Sequence, residues 1–430
     1  MNCGPKGRAL YISYFGLREP LVQTQVLPYL RGIIDGGFEV TLLTFEPDLK
    51  RAWTEEEAAN WRARLEAEGV RWLALPYHKR PSLPATVYDI LNGARLAARL
   101  LKREQIDILH ARGYVPAAMG AIARRMAGGR LLFDIRGLMP EEYVDAGIWP
   151  EAGYLYRLVK RAERRLLAAA DGFVVLTEKA RDILFPGCLE TDARGRPIEV
   201  IPCCVDTERF QEANSIPREE VREEMGLRDR RVIVYLGALG GWYLTDEMTD
   251  FLAAAHSQDT STFSMILTQS PPEMIEPRLK DIGLLQRDYL IKKVAPADVP
   301  RYLRASDMAL SFIKPCYSKL ASSPTKIAEY LAAGLPVVCN RGIGDLDETI
   351  ESDRVGVIIR SLDRDSYIQA LLDVEALQRD GGLADRCRAS ASGRFGLKKV
   401  GGEKYRRLYS RLIKTEEPGA AVSQSLCGMN

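Results

Sequence analysis

The chain has 430 residues, 46% hydrophobic and 27% charged, which excludes a disordered chain, a collagen or a disulfide miniprotein and leaves room for two or three domains. Sixty Lys and Arg against 58 Asp and Glu give a net charge of +2, so the overall charge makes no case for nucleic acid. Eight cysteines without CxxC spacing, and three histidines far apart in sequence (His78, His110, His256), give neither a disulfide framework nor a metal centre. The N-terminal apolar run 9–14 is strand-length and lacks a cleavage site, and no run approaches the ~20 apolar residues of a membrane helix. A cytoplasmic protein with reduced thiols is expected.

Short apolar strands alternate with amphipathic helices. In the first half the pattern predicts strands at 9–15, 38–45, 71–75, 106–110, 131–135, 172–176 and 198–201, with helices at 24–35, 88–103, 115–126 and 154–170. In the second it predicts strands at 231–236, 263–268, 290–294, 308–312, 335–340 and 355–359, with helices at 245–256, 298–305, 324–333, 365–377 and 401–414. Repeated strand–helix units imply parallel sheets covered on both faces. The expected fold class is α/β, with two doubly wound, Rossmann-like domains facing a central cleft. The expected boundaries are a first domain at 1–205, a linker at 206–218, a second domain at 219–394, a terminal helix at 395–414 and a disordered tail at 415–430.

The segment 322–338 carries the most chemistry. Ser323 suits an N-cap and Pro324 a first helical residue, while Gly334 and Pro336 end the helix. The free N–H groups of such a start attract an anion. Lys326 in the first turn opposes the helix dipole unless a phosphate sits beside it. Glu329, three residues on, shares its side. A diphosphate beside Lys326 with a ribose near Glu329 fits this spacing, and an ordinary Lys–Glu surface pair fits it equally. Gly240 and Gly241 lie in a strand–glycine loop–helix setting, as close backbone approach to a ligand requires. Tight-turn glycines explain them as well. Asp345-Leu346-Asp347 has DxD spacing, but such triplets arise by chance among 58 acidic residues. In the first half, Asp134 and Arg136 end one strand and His110 and Arg112 another, where ligands of open parallel sheets bind; a structural Asp–Arg pair fits the local sequence as well. Gly16 follows the first strand. Arg157, Lys160, Arg161, Arg164 and Arg165 recur at helical spacing opposite Leu155, Leu158, Val159, Ala162 and Leu166. That pattern suits either an anionic bilayer surface or a core-packed helix with a solvated basic face.

Taken together, these segments resemble a family 4 retaining glycosyltransferase of the GT-B fold, in a Ser-Pro-x-Lys variant. The likeness rests on 25–30 with 36–41, on Ile201-Pro202-Cys203-Cys204-Val205-Asp206 through Phe210, and on Ala305-Ser306-Asp307. It rests also on 323–338 and on Phe395 with Tyr405 and Tyr409. The resemblance implies a second domain that binds a UDP- or GDP-sugar and a first that binds a glycan, lipid-linked or small-molecule acceptor. By the same resemblance, Glu329 holds the ribose, and the backbone at Ser322, Ser323, Pro324 and Thr325 holds the diphosphate. Asp134 and Arg136 are the catalytic pair, and Gly16, His110 and Arg112 lie on the acceptor side. No metal and no cofactor is implied. Three departures stand out. Ala321 replaces the first Glu of the family's Glu-x7-Glu. The loop at Gly240 has no basic residue, so Lys326 and Lys314 are expected as substitutes. Asp134 stands where a His is common. The rivals are a nucleotide-sugar 2-epimerase of the same fold and a non-catalytic glycosyltransferase-like subunit.

Overall fold

The computed structural model describes residues 5–414; the tail expected at 415–430 lies outside them. Among the described residues, thirteen strands form two sheets. The first contains β1 (Gly7–Ser13), β2 (Phe38–Pro47), β3 (Val70–Tyr77), β4 (Ile108–Arg112), β5 (Arg130–Asp134), β6 (Gly172–Val175) and β7 (Ile198–Val200), in spatial order β3-β2-β1-β4-β5-β6-β7. The second contains β8 (Arg231–Leu236), β9 (Thr262–Leu267), β10 (Tyr289–Lys292), β11 (Met308–Ser311), β12 (Val337–Asn340) and β13 (Gly356–Ile359), in order β10-β9-β8-β11-β12-β13. Every pairing is parallel. Each strand overlaps one expected from the sequence, because strands buried on both faces read as short unbroken apolar runs. The strand order reverses between β1 and β4 and between β8 and β11, the crevices where such sheets take ligands.

Seven helices position the functional groups: α1 (Ser82–Glu104), α2 (Tyr114–Ala127), α3 (Met139–Asp145), α4 (Tyr154–Ala169), α5 (Glu178–Leu184), α6 (Thr325–Ala332) and α7 (Glu403–Lys414). An apolar layer lies on each face of each sheet. Helix α7 packs into the first domain, where Tyr405 and Tyr409 are fully buried beside Tyr29 and Phe38. The chain crosses between the domains where Val205 and Leu397 exchange backbone bonds with Phe395 and Val205.

Several elements differ from expectation. The stretch read as a linker holds a helix, Glu208–Ser215, whose Phe210 is buried in the apolar layer of the second domain. The helix Glu55–Ala67 escapes periodicity reading because Leu65 is its one buried residue, although Thr54 and Glu57 form a capping box at its start. No helix among the described residues is long and apolar enough to cross a membrane.

Candidate functional site

The chemistry of the second domain gathers at the β8/β11 crevice, where Tyr330 sets the rotation of α6. Its hydroxyl accepts from Leu236 N–H at 2.7 Å and donates to Leu310 O at 3.2 Å, joining α6 to β8 and β11. One turn earlier, Lys326 is thereby turned beneath the loop after β8. Lys326 is 5% exposed. Its Nζ lies 3.2 Å from Tyr235 Oη and over the rings of Tyr235 and Tyr243, 4.3 and 4.1 Å from their centroids. A Cβ on Gly237 would stand 2.7 Å from Nζ, so only glycine leaves room for this approach. The Lys326–Glu329 surface pair allowed by the sequence is not made, since Lys326 turns inward to a hydroxyl. Burial lowers the Lys326 pKa to about 7, with the charge of Glu329 opposing the shift.

Glu329 keeps 18% of its side chain exposed, with Arg209 Nη1 at 3.9 Å. Burial raises its carboxyl to about 7, against the fields of Arg209 and Lys326. It lines a cavity of about 150 Å³ together with Thr325, Gln269, Val294 and, from the first domain, Thr24 and Gln25.

The start of α6 departs from the sequence reading. Pro324, not Ser323, occupies the N-cap position, and no side chain caps the helix. Ser323 Oγ instead accepts the Cys203 N–H at 3.0 Å, a bond between segments 120 residues apart. Ser322 lies against Gly344, where an added Cβ would be 2.0 Å from Ser322 O. Gly240 and Gly241 have left-handed φ of 71° and 61°, and Gly240 N–H donates to Thr245 Oγ1 at 2.9 Å.

Lys314, expected beside Lys326, is exposed, and its Nζ points to Asp145 O of α3 at 3.5 Å. The structure does not bring the two lysines together. Sequence reasoning missed Lys319. Its Nζ sits over the Trp242 ring at 3.9 Å and 3.2 Å from Glu142. Nothing in the local sequence sets it apart from Lys314 and Lys326 on either side. Ala321 is 1% exposed and packs into the apolar layer of the first domain beside Ile135 and Leu138. Asp345 accepts the N–H groups of Glu178 and Lys179, so it caps α5 from the other domain, while Asp347 accepts Gly342 N–H. The two carboxylates therefore serve separate backbone groups.

In the first domain, Asp134 has no exposed surface. His110 Nε2 lies at 3.3 Å, Arg112 Nη1 at 3.5 Å and Arg136 Nη1 at 3.3 Å, and Tyr405 donates its hydroxyl at 3.2 Å. Burial would raise its pKa, but Arg136, the His110 hydrogen bond and Arg112 outweigh it and hold the carboxyl well below the usual range. Asp134 in this setting is an anion that holds its neighbours and has no face for a substrate. His110 is also fully buried, with Nδ1 2.8 Å from Tyr409 Oη, and burial lowers its pKa against the pull of Asp134. Arg112 is 4% exposed. The expectation that His110 and Arg112 face an acceptor is thus corrected, because α7 covers them with its tyrosines. Arg136 is the member of this cluster that reaches outward, 13% exposed, with Nη2 3.3 Å from Cys203 Sγ. Gly16 is buried where the turn after β1 passes over Glu46, whose Oε2 would lie 2.7 Å from an added Cβ.

Two parallel-sheet domains meeting at a cleft, with these crevices at the strand ends, define a GT-B glycosyltransferase architecture. Residues 22–204 match the glycosyl transferase 4-like domain and residues 230–376 the glycosyl transferases group 1 family. The chain belongs to the glycosyltransferases that pair these two domains. It is similar to a crystallised glycosyltransferase from Rickettsia africae ESF-5, with a TM-score of 0.71 and 16% identity over 95% of this chain and 99% of that one. It is similar also to Anabaena Alr3699/HepE, crystallised with UDP and glucose, with a TM-score of 0.66 and 15% identity over 94% of this chain and 100% of that one. At these identities the likeness is one of fold. Spore coat protein SA of Bacillus subtilis (strain 168) is 26% identical over 194 residues, 43% of this chain and 50% of that protein, so the match spans about half of that relative.

Proposed function

We propose that this chain transfers a sugar, with retention of anomeric configuration and without a metal, from a nucleoside-diphosphate sugar in the second domain to an acceptor in the first. The observation that carries this is Lys326, a buried ammonium beneath a glycine loop, hydrogen-bonded to a phenol rather than a carboxylate. Such a group lacks the compensation a buried charge needs until an anion arrives. A diphosphate between α6 and the Gly237–Gly241 loop supplies it, and α6 contributes its N-terminal dipole. Glu329 would then accept the ribose hydroxyls in the cavity it lines. Leaving-group charge on the diphosphate would be met by these fixed donors. Arg136, held by Asp134, would be the first-domain group facing the reacting centre, which makes Asp134 a positioning residue. UDP-glucose in complexes of a protein with the same fold favours a UDP-sugar as the first donor to try. The acceptor class proposed is a glycan, a lipid-linked or a small molecule.

Peripheral contact with an anionic membrane belongs to the same proposal. Glu163 is the one buried residue of α4, and Leu155 and Leu158 stand exposed among Arg157, Arg161, Arg164 and Arg165. A basic helix with uncovered leucines suits an anionic interface.

Thermal-shift measurement across UDP- and GDP-sugars, followed by product analysis, tests the reading, since a specific ligand stabilises by RT ln(1 + [L]/Kd). Sugar transfer or slow donor hydrolysis is expected. C2 epimerisation, or binding of no nucleotide sugar, would replace it with one of the rival readings.

A further inference from the structure

The carboxyl end of β3 runs into Tyr77-His78-Lys79-Arg80, and the first turns of α1 fold back over it. His78 Nδ1 lies 2.6 Å from Asp89 Oδ1, and the His78 backbone N–H donates to Asp89 Oδ2 at 3.0 Å. Tyr14, just beyond β1, donates its hydroxyl to the same oxygen at 2.8 Å. Tyr88 stands edge-on to the imidazole, with ring centroids 5.1 Å apart. The Asp89 side chain is fully buried, whereas that of His78 is 42% exposed. A buried carboxylate that takes one ring nitrogen fixes the ring and leaves the other nitrogen, Nε2, for a ligand. An exposed histidine with no task has no need of such a shell.

Lys79 and Arg80 follow directly, both exposed. Among the described residues neither makes an ion pair, while Arg71, at the other end of β3, is held by Glu104 at 2.7 Å. The ammonium of Lys79 and the guanidinium of Arg80 are donors with no acceptor of their own, and His78 Nε2 adds a third donor only when the ring carries both protons. Two unpaired cations beside a fixed imidazole suit the charge of a phosphate. Beside it, α1 exposes Leu83, Val87, Tyr88 and Leu91 on one face at helical spacing. Both features lie at the carboxyl end of β3.

The geometry points to a binding site for a phosphate-class anion at His78, Lys79 and Arg80, with the ligand's apolar part lying along α1, as a lipid-borne phosphate presents itself. The identification of that ligand as the acceptor rests on the transferase reading; the binding itself does not.

Because the chain has three histidines, imidazole NMR of ¹³C-histidine-labelled protein gives three ring signals, and His78→Gln assigns the one of interest. The protein is titrated with inorganic diphosphate, and separately with phosphatidylglycerol–phosphatidylcholine vesicles or phosphatidylcholine vesicles alone. Lys326→Ala is run beside the unaltered protein, and the His78 signal should respond alike in both because it reports its own surroundings rather than the donor site. Saturable movement of the His78 signal with diphosphate is expected. With Arg157, Arg161, Arg164 and Arg165 changed to Gln, so that α4 does not hold the protein to the vesicle, broadening by phosphatidylglycerol vesicles but not by phosphatidylcholine is expected as well, greater for His78 than for His110 and His256. Lys79→Gln/Arg80→Gln should weaken both responses about ten-fold or more, from the loss of charge-assisted bonds. A response to diphosphate alone upholds the anion site and overturns its lipid source. A His78 signal unmoved by either probe overturns the site. Failure of the donor assignment at Lys326 leaves this measurement intact, so the two failures are distinguishable.

Discussion

Replacing Lys326 by alanine removes the ammonium beneath Gly237, and with it a charge-assisted bond of about 1.5–3 kcal/mol to the donor. That converts to a loss of roughly 10- to 150-fold in kcat/KM; a folded variant with unchanged kcat/KM would take Lys326 out of the site. Glu329→Gln should weaken binding of a nucleoside diphosphate that carries no sugar, measured by calorimetry. A defect confined to sugar-bearing ligands would move Glu329 away from the ribose. The same two residues set a pH dependence. Both titrate near 7 in the free protein, from ordinary values of 10.5 for the lysine and 4.5 for the glutamate. Between pH 4.5 and 7 the folded Glu329 holds a proton that the unfolded chain has lost, so stability falls as pH rises. Between pH 7 and 10.5 the unfolded lysine holds a proton that the folded one lacks, so stability rises with pH. A bound diphosphate favours the ammonium and bound ribose hydroxyls favour the carboxylate, so the donor relieves both strains where they meet. The gain in Tm from saturating nucleoside diphosphate should peak near pH 7 and shrink on either side. A gain that changed monotonically between pH 5 and 9 would contradict the assignment.

Among the elements, the loop before α6 shows why the family's first glutamate is missing. Ala321 is packed into the apolar layer of the first domain, and a carboxylate there would be buried without a partner. Ala321→Glu should therefore cost about 3 kcal/mol or more, read as a lower denaturant midpoint. A neutral variant would mean that the loop swings freely. The strands were legible as apolar runs, and α6 was legible from its Pro and Gly punctuation. The occupation of its start was not, because the Ser323 hydroxyl bonds a backbone group 120 residues away, and no local pattern encodes that. His110 and Arg112 were legible as strand-end residues, yet whether a strand end opens to solvent depends on what covers it. The covering helix α7 comes from the far end of the described chain. Lys319 was unreadable for a similar reason: its partners Trp242 and Glu142 come from separate domains.

For the whole molecule, the proposed diphosphate site uses a lysine and a helix start in place of a cation, so EDTA should leave transfer largely intact. Activity abolished by EDTA and restored by Mg²⁺ or Mn²⁺ would reverse that conclusion. Arg157, Arg161, Arg164 and Arg165 should bring the protein down with anionic vesicles at low salt and release it at high salt, since surface charge is screened beyond a Debye length of about 8–10 Å. Changing all four to Gln should abolish sedimentation and spare nucleotide binding. Equal recovery in the supernatant with and without anionic vesicles at low salt would favour a soluble acceptor.

The hydroxyl that Tyr405 gives to Asp134 comes from a residue 271 positions later in the chain. During synthesis at about 5–20 residues per second, roughly 14–54 s separate the emergence of these two residues from the ribosome. Throughout that interval Asp134, His110 and Arg112 lie without their cover, and for most of it every strand of their own sheet has already been made. The first domain therefore waits for the second to be translated before its polar centre closes, so a nascent chain halted before Glu403 carries a complete sheet and an unfinished site.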